Sequence, residues 1–380
     1  MRAKFITTYP PTNCGIATYS SYYVKTIGKL CDMSVVPVER PKANPLYFVK
    51  LALTARKGSD VVHVQYDCGF FGTISIGKLS LSGMYTPLFY LLVRAFGGPK
   101  VVTTIHELQD ARKNYVGRWL YRPMHLYYKA VYWSMAALSS VVLVHTRGTI
   151  ESMSQYFALK NAEIVPHAVF IQPAFLPKEE CKAKLGLSGK RVVTMFGYVS
   201  SSKGHELAIE AIRGMPADIV LYIAGDARTP DDKAFVLGLK EKVRALDMQE
   251  RVRFHGYVRD EDTPVVMGAT DLILMPYSHI VQSGAVNFAL AYLKPVLASD
   301  IGGFAEIAEK YGCIETFTPQ DIGSLREKLA SMLSGDDMNS LLDKIRGYIR
   351  EVNMDTIAAR TAAVYKRILD RRGETENGTG

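Results

Sequence analysis

Cysteine is scarce in this chain, and its positions show no pairing pattern. The 380 residues contain 5 cysteines, an odd number, scattered and without a Cys-x-x-Cys pair. This spacing argues against a disulfide framework and against a structural zinc site. We therefore expect a protein of a reducing compartment, cytoplasmic, and the sequence leaves open whether it also lies at the inner membrane surface.

Long apolar runs are also missing. No stretch reaches the roughly 18 apolar residues that a membrane-spanning helix needs, and the N-terminus MRAKFITTYPP lacks the apolar centre of a signal peptide. The sequence therefore predicts neither a spanning helix nor a secretion signal. With 48% hydrophobic and 22% charged residues, the chain has enough apolar material for two packed domains.

Two familiar nucleotide signatures are absent. The turn after the first predicted strand lacks Gly-x-Gly-x-x-Gly and the later acidic residue, so an NAD-dependent oxidoreductase ranks last among the candidate functions. The loop around Lys203 has the wrong spacing for a Walker A loop.

Acidic residues are few in the first half of the chain. Residues 1–170 contain 19 Lys+Arg and 8 Asp+Glu, a net +11, and the remainder contains 27 and 29, a net −2, which together give the overall +9. Such a field attracts an anionic partner, either a nucleotide, an acidic lipid surface or nucleic acid. We expect no nucleic acid, because the chain has no Lys/Arg block and no recognised nucleic-acid motif.

Short apolar runs alternate with helix-length segments in two series, separated by a proline-containing stretch at 166–189. This alternation predicts parallel sheets covered by helices on both faces, with ligands at the carboxyl ends of the strands. The sequence therefore predicts two doubly wound α/β domains in tandem. The predicted strands are 4–8, 33–38, 61–65, 100–105 and 140–145, then 191–196, 219–224, 251–255, 271–275 and 295–298.

Polar residues follow several strands of the first series. His106 ends the run VVTTI, and a histidine there faces the ligand edge of the sheet, although a hydrogen-bonded structural histidine is an equal alternative. Asp67 and Glu107 are candidate acid/base groups that no spacing singles out. Together with Asn13 and Gln65 they form the acceptor-side candidates.

The second series offers two loops for an anion. Lys203 lies in the Ser/Gly loop FGYVSSSKGHE, where an ammonium can meet a diphosphate; an ordinary surface lysine is the alternative. The segment MPYSHIVQSGAVNFALAYLKPVLASDIGGFAE passes from strand to helix through small polar residues, whose backbone N–H groups suit a phosphate. An ordinary capped turn is the alternative there. Gly15 allows close backbone approach, or simply starts a helix capped by Thr12 or Asn13.

Two stretches are typical of a membrane surface. Residues 112–133 mix Tyr and Trp with Arg and Lys, and residues 84–96 are apolar. A buried helix with cationic ends fits the first stretch at least as well, because an aromatic stripe at helical spacing usually packs in a core.

Taken together, these segments resemble a GT-B glycosyltransferase of family four, a group of retaining, nucleotide-sugar-dependent enzymes. The likeness covers nearly the whole chain and depends on the order of many short matches. These are PPTNCGIATYS, VVHVQYDCGFFG, VVTTIHELQD, VLVHT, IVPHAV, FGYVSSSKGHELAIEAI, LYIAGD, VRFHGYV and the loop segment quoted above.

The resemblance implies two Rossmann-like domains facing across a cleft. It places an acceptor-binding domain at 1–172, a nucleotide-sugar-binding domain at 173–352, and a helix at 353–370 crossing back to the first domain. The composition of RRGETENGTG separately predicts a disordered tail at 371–380. It implies a hexose, mannose or glucose, carried on UDP or GDP and transferred to a hydroxyl of a glycan or lipid-linked acceptor. No metal and no cofactor are implied, and contact with an anionic membrane is an open option.

The resemblance also assigns roles to residues. His106 corresponds to the histidine that contacts the transferred sugar, Lys203 to the lysine on the diphosphate, and Gly15 to a glycine near the donor phosphates. The remaining donor-binding candidates lie in the loop whose backbone meets the phosphates and sugar: Gln282, Ser283, Gly284 and Ala285.

Several positions depart from the family pattern. Tyr198 stands where an arginine is common, Ala168 replaces a glycine, and Glu107 replaces an aspartate. The usual pair of glutamates falls on Ile280 and Phe288, neither of which can hydrogen-bond a hydroxyl. A catalytically degenerate sugar-nucleotide-binding or scaffolding protein is therefore the alternative to an active transferase.

Overall fold

Each half of the chain folds around one six-stranded, all-parallel sheet. The computed structural model divides into a first unit of residues 1–170 and 353–380, and a second unit of residues 171–352. It describes residues 1–12, 14–39, 44–76, 79–109, 120–169, 173–279, 284–335 and 337–376, and their side chains except at 75–76, 79–80, 107 and 371–376.

The first sheet has the strand order β2-β1-β3-β6-β7-β8. Its strands are short apolar runs rich in Val and Ile, residue types that suit a buried pleated surface. A separate antiparallel hairpin, β4–β5, follows β3. The strands are β1 (Arg2–Thr7), β2 (Asp32–Pro37), β3 (Val61–Asp67), β4 (Thr73–Ile76), β5 (Leu79–Ser82), β6 (Lys100–Glu107), β7 (Val141–Val144) and β8 (Ala162–Ile164). The helices between them are α1 (Gly15–Ile27), α2 (Pro45–Arg56), α3 (Thr86–Arg94), α4 (Tyr121–Leu138) and α5 (Arg147–Ser154).

The second sheet has the order β11-β10-β9-β12-β13-β14. Its strands are β9 (Arg191–Phe196), β10 (Ile219–Ala224), β11 (Val252–Phe254), β12 (Leu272–Met275), β13 (Val296–Ser299) and β14 (Glu315–Phe317). Its helices are α6 (Lys178–Lys184), α7 (His205–Arg213), α8 (Pro230–Ala245), α9 (Thr263–Ala269), α10 (Gly284–Ala291), α11 (Gly302–Tyr311), α12 (Ile322–Ser334) and α13 (Met338–Glu351). The last helix, α14 (Met354–Glu376), belongs to the first unit.

The core of the first unit has two layers, because successive side chains of each strand point to opposite faces of the sheet. One layer packs α2, α3 and α4 on the sheet and buries large rings such as Phe48, Phe89 and Tyr132. The other packs α1 and α14 and buries Phe5 and Tyr365. Full burial of such a side chain contributes about 1.5–3 kcal/mol.

Buried polar contacts fix elements of the second unit. Asp271, just before β12, accepts a 2.7 Å hydrogen bond from the Val192 backbone and forms a 2.8 Å ion pair with Lys182 of α6. The hydroxyl of Tyr348 on α13 donates a 2.7 Å hydrogen bond to the amide oxygen of Asn287 on α10. The first contact holds α6 against β9 and β12, and the second holds α13 against α10.

All ten predicted strands are present, and the predicted fold class is confirmed. The prediction missed the edge strands β8 and β14, three residues each and partly polar, and the β4–β5 hairpin. The segment 371–376, predicted to be disordered, continues α14, since a docked helix extends readily through charged residues. Residues 377–380 lie outside the described part. No described helix is long and apolar enough to cross a membrane.

Candidate functional site

In the first unit, polar side chains meet at the carboxyl ends of β3 and β6, which are neighbours in the sheet. Gln65 of β3 is buried, and its amide oxygen accepts a hydrogen bond from Nε2 of His106 on β6. The structure thus joins two of the predicted site residues through their side chains. Since the Gln65 amide is used inside the unit, its predicted acceptor-side role stays a prediction.

The Gln65 amide also connects to the last helix through His63. Its nitrogen, a donor only, lies 3.1 Å from Nε2 of His63, which also lies 2.7 Å from Thr104 Oγ1. Nε2 of His63 is therefore an acceptor, so Nδ1 carries the hydrogen and donates it to the hydroxyl of Tyr365 on α14. Burial lowers the pKa of His63 to about 3, which keeps the ring neutral.

Three histidines form a cluster beside this network. The ring centroid of His106 lies 5.1 Å from that of His145 and 6.2 Å from that of His167, and the ring of Tyr19 on α1 lies 4.4 Å from His167, tilted by 41°. Burial lowers the pKa of His145 to about 4 and that of His167 to about 3, and it lowers the pKa of His106 well below its usual value. Neutral imidazoles can hydrogen-bond an uncharged hydroxyl, but they are weak bases at these pKa values.

His145 carries an unused acceptor. Its Nδ1 donates a 2.8 Å hydrogen bond to the Val165 carbonyl, so Nε2 holds the lone pair. Nε2 is buried and has no hydrogen-bond partner within the described ranges. Because a buried unpaired acceptor is costly, this atom marks a place where a ligand hydroxyl or water can donate.

The other candidates of the first unit have simpler settings. Gly15 starts α1, and the cap is neither Thr12 nor Asn13 but Cys14, whose sulfur accepts a 3.4 Å hydrogen bond from the Ala17 backbone. Asp67 caps a short 3-10 turn through a 2.8 Å hydrogen bond from Gly69. Glu107 ends β6. Asn13 and the Glu107 side chain lie outside the described part.

In the second unit, Lys203 sits in the loop between β9 and α7. Its ammonium nitrogen lies 5.6 Å from the ring centroid of Tyr277, a cation–π distance, and no described carboxylate is within ion-pair reach of it. Burial lowers the pKa of Lys203 to about 8, and Asp232 opposes this shift. The site therefore holds a desolvated cation, which an entering anion would stabilise.

The Lys203 loop is fixed to the loop that follows β12. The Ser278 backbone N–H donates a 2.9 Å hydrogen bond to the Ser202 carbonyl. Gly204 has φ +71, and a Cβ there would lie 1.9 Å from the Pro276 carbonyl oxygen, so only glycine allows this approach. β12 is the neighbour of β9, so the described start of the predicted phosphate loop, at Ser278, lies against the loop that carries Lys203.

The predicted phosphate loop is described at its end only. Gly284 and Ala285 begin α10, and a Cβ added at Gly284 would meet no described atom within 4 Å. Ile280, Gln282 and Ser283 lie outside the described residues. Phe288, at the position of a lost glutamate, stacks on Phe196 with ring centroids 4.9 Å apart and planes at 7°. At this position, ring packing between Phe288 and Phe196 stands in place of the hydrogen bond that a glutamate could make to a ligand hydroxyl.

Sequence reasoning missed three residues that the structure adds. Arg228, after β10, lies with its guanidinium carbon 5.5 Å from the ring centroid of Tyr198, at the position where the family arginine is missing. Tyr277 supports Lys203, and Tyr365 closes the His63 network. Tyr277 lies within the quoted segment that begins MPYSH, and Arg228 lies two residues after the segment LYIAGD. The sequence around Tyr365 gives no indication of its contact. No group of three potential metal ligands occurs among the described residues.

The fold and these loops define the class of protein. Two doubly wound parallel sheets in one chain, with the lysine loop after β9 in contact with the segment that follows β12, are the GT-B arrangement. Residues 177–351 match the family described as glycosyl transferases group 1. The second unit is a glycosyl transferases group 1 domain, and the chain is a glycosyltransferase.

Curated relatives support this assignment at low identity. The chain is 23% identical over 282 residues to 2-deoxystreptamine glucosyltransferase of Streptomyces kanamyceticus, covering 71% of this chain and 67% of that protein. It is 28% identical over 155 residues to mannosylfructose-phosphate synthase of Agrobacterium fabrum, covering 38% and 34%.

Solved structures share the fold over nearly the full length. The Anabaena protein Alr3699/HepE in complex with UDP-glucose has a TM-score of 0.74 at 15% identity, covering 97% of this chain and 100% of that one. Sucrose-phosphate synthase of Thermosynechococcus elongatus has a TM-score of 0.72 at 16% identity, covering 98% and 100%.

Proposed function

We propose that this glycosyltransferase moves a hexose, with retention of anomeric configuration, from a nucleoside diphosphate sugar to a hydroxyl acceptor. The observation that carries the proposal is the desolvated ammonium of Lys203, in a strand-end loop that Ser278, after β12, contacts through the Ser202 carbonyl. Negative charge grows on the diphosphate as the glycosidic bond to it breaks. A preorganised cation stabilises that charge without reorganising.

The donor diphosphate lies, in this proposal, on Lys203 and on the backbone N–H groups around Gly284. Arg228 supplies the second cation that Tyr198 does not, because the Tyr198 ring holds its guanidinium at the same edge of the sheet. Arginine recognises phosphate oxygens with a fork of donors. The sequence resemblance alone leaves this cation missing.

His106 contacts the transferred sugar and not the diphosphate. Its imidazole is neutral and is oriented by Gln65, which suits a hydrogen bond to a sugar hydroxyl. The neutral histidines are weak bases, so the leaving phosphate accepts the acceptor's proton. This scheme needs no enzyme nucleophile and fits a front-face mechanism with an oxocarbenium-like sugar. We also propose that no metal or cofactor takes part.

Glucose on UDP is the first donor to test and mannose on GDP the second. The relative in Streptomyces kanamyceticus is named a glucosyltransferase, HepE was solved with UDP-glucose, and the Agrobacterium relative is named for a mannosyl product. The acceptor belongs to the glycan or lipid-linked class, which we connect with the basic first unit.

The test is a thermal-shift screen against UDP-, GDP- and ADP-sugars, followed by slow hydrolysis of the donor that binds, with the released anomer identified by NMR. A donor that binds only the folded protein raises its melting temperature. Release of the original anomer supports a retaining transferase. Donor binding with no turnover in the presence of acceptor mixtures would favour a degenerate binding protein, and no binding at all would refute the proposed site.

A further inference from the structure

The helices α2, α3 and α4 form one layer of the first unit, with α3 packed between the other two. Their inner sides carry the large buried rings that cover the sheet. Their outer sides point away from the sheet. The residues on these outer sides are unusual in composition and in spacing.

The outer side of α2 alternates leucine with lysine. Leu46, Lys50 and Leu53, with Lys57 directly after the helix, are spaced four, three and four residues apart, which places them on one stripe. All four are exposed, and Leu46 retains 74% of its accessible surface. Apolar and cationic side chains therefore alternate along the same exposed stripe, instead of lying on opposite sides of the helix.

The outer side of α4 repeats the pattern. Arg122, Leu126, Lys129 and Trp133 have the same four-three-four spacing and are all exposed. Leu126 retains 67% and Trp133 60% of their surface. Burial of the opposite side of α4 supports the core-helix alternative for the described part of 112–133, yet this outer stripe is left without a core to pack against.

Between the stripes, the end of α3 presents one more large apolar side chain. Arg56 of α2 donates hydrogen bonds of 3.1 and 2.8 Å to the carbonyls of Leu92 and Ala95, which fixes the end of α2 to the end of α3. Phe96 follows directly and is 99% exposed. Its φ of 50 is in the left-handed region, which a phenylalanine rarely adopts.

Charge of one sign completes the layer. The sequences of α2, α3 and α4 contain no aspartate and no glutamate, whereas α8 of the second unit carries Asp231, Asp232 and Glu241. Lysine and arginine beside leucine, phenylalanine and tryptophan, without any acidic residue, suit the interface of an anionic lipid bilayer. Anionic headgroups pair with the cations, and the interfacial layer below them accepts the apolar side chains.

We propose that this outer face of α2, α3 and α4 docks on an anionic lipid surface. Nucleic acid would use the cations and leave the leucines in water. A second copy of the chain would place like charges against each other. The inference goes beyond sugar transfer and does not depend on which donor the enzyme uses, so its test is independent of the donor assay.

The test uses the full chain and vesicles of phosphatidylcholine with or without phosphatidylglycerol. The chain has two tryptophans, so Trp119→Phe leaves Trp133 as the only indole reporter. We expect binding in sedimentation and a blue shift of Trp133 emission with the anionic vesicles only, both weakened by added salt.

The patch variant Lys50→Glu with Lys129→Glu removes two cations, each of which contributes about fivefold to partitioning, so binding should fall by about 25-fold or more. Leu53→Gln with Leu126→Gln should bind more weakly and lose the blue shift. The matched control is Lys233→Glu with Leu237→Gln on α8, which places the same changes on an exposed helix of the second unit and should bind as the parent does. Circular dichroism establishes that each variant is folded.

Three results would overturn the proposal. They are equal binding to neutral and anionic vesicles, patch variants that bind like the control, and binding to a soluble polyanion such as heparin without binding to vesicles. A change of oligomeric state in the patch variants without lipid would instead identify a self-association interface, and it would also refute lipid docking.

Discussion

Raising the pH should deprotonate the Lys203 ammonium at a pH lower than is usual for a lysine. Burial lowers the pKa of Lys203 from 10.5 to about 8, so the ammonium that the donor diphosphate needs is lost above that pH. The 10.5-to-8 shift corresponds to roughly 3 kcal/mol of lost solvation in the empty site. Lys203→Arg keeps a positive charge over the whole range, because arginine does not deprotonate in proteins.

The expected effect follows from the protonated fraction. With a pKa of about 8, roughly nine-tenths of the enzyme carries the ammonium at pH 7 and roughly one-tenth at pH 9, so kcat/KM for the donor should fall about tenfold over that interval. Lys203→Ala should be about a hundredfold slower at pH 7 and should show no alkaline decline, since a charged transition-state contact is missing throughout.

The assay is kcat/KM for the sugar donor at fixed acceptor from pH 6.5 to 9.5, because this constant reports groups of the free enzyme. Lys203→Arg is the matched control and should show a flat profile, even if its rate is lower. The reasoning fails if the parent profile is flat, or if Lys203→Arg declines with the same apparent pKa.

Three further predictions address the rest of the two units. Gln65→Glu places a carboxylate between His63 and His106 and should raise the pKa of both, so the acid limb of kcat/KM should move to higher pH than in the parent and in Tyr365→Phe; an unchanged profile would argue against the network. Arg228→Ala should raise KM for the donor about threefold to tenfold with kcat nearly unchanged, Arg228→Lys should recover part of the loss, and equal KM values in all three enzymes would remove Arg228 from the site. The free energy of unfolding should fall as the pH drops below about 6.5, by about 1 kcal/mol per pH unit for each buried histidine, because these histidines take up protons in the unfolded chain but stay neutral in the folded chain down to pH 3–4. Urea unfolding at pH 7, 6 and 5 measures this change. A midpoint that does not depend on pH would contradict the burial of His63, His145, His167 and His205.

The sequence was sufficient for the fold because its periodic patterns are strong. The predicted strands are short, largely apolar runs that alternate with helix-length segments, and alternation of this kind has few topological solutions. The three-residue strands β8 and β14 were missed because too few residues alternate in them to give a pattern.

The site was less predictable, because side-chain partners come from distant parts of the chain. Lys203 was identified from its local loop, but its support by Tyr277 depends on the pairing of β9 with β12. Tyr365 lies 302 residues from His63, and nothing in either local segment indicates the contact. Arg228 is a candidate only because its guanidinium lies against the ring of Tyr198, which precedes it by 30 residues.

The position of α14 has a consequence for how the chain is made. A ribosome releases residues 1–170 long before residues 353–376, yet the layer containing Phe5 and Tyr23 is completed only by side chains of the last helix. The nascent first unit therefore leaves the part of this apolar face that α14 covers exposed throughout synthesis of the second. Such a face is prone to aggregation until it is covered, so chaperone binding during translation should concentrate on this interval and end with the emergence of Tyr365.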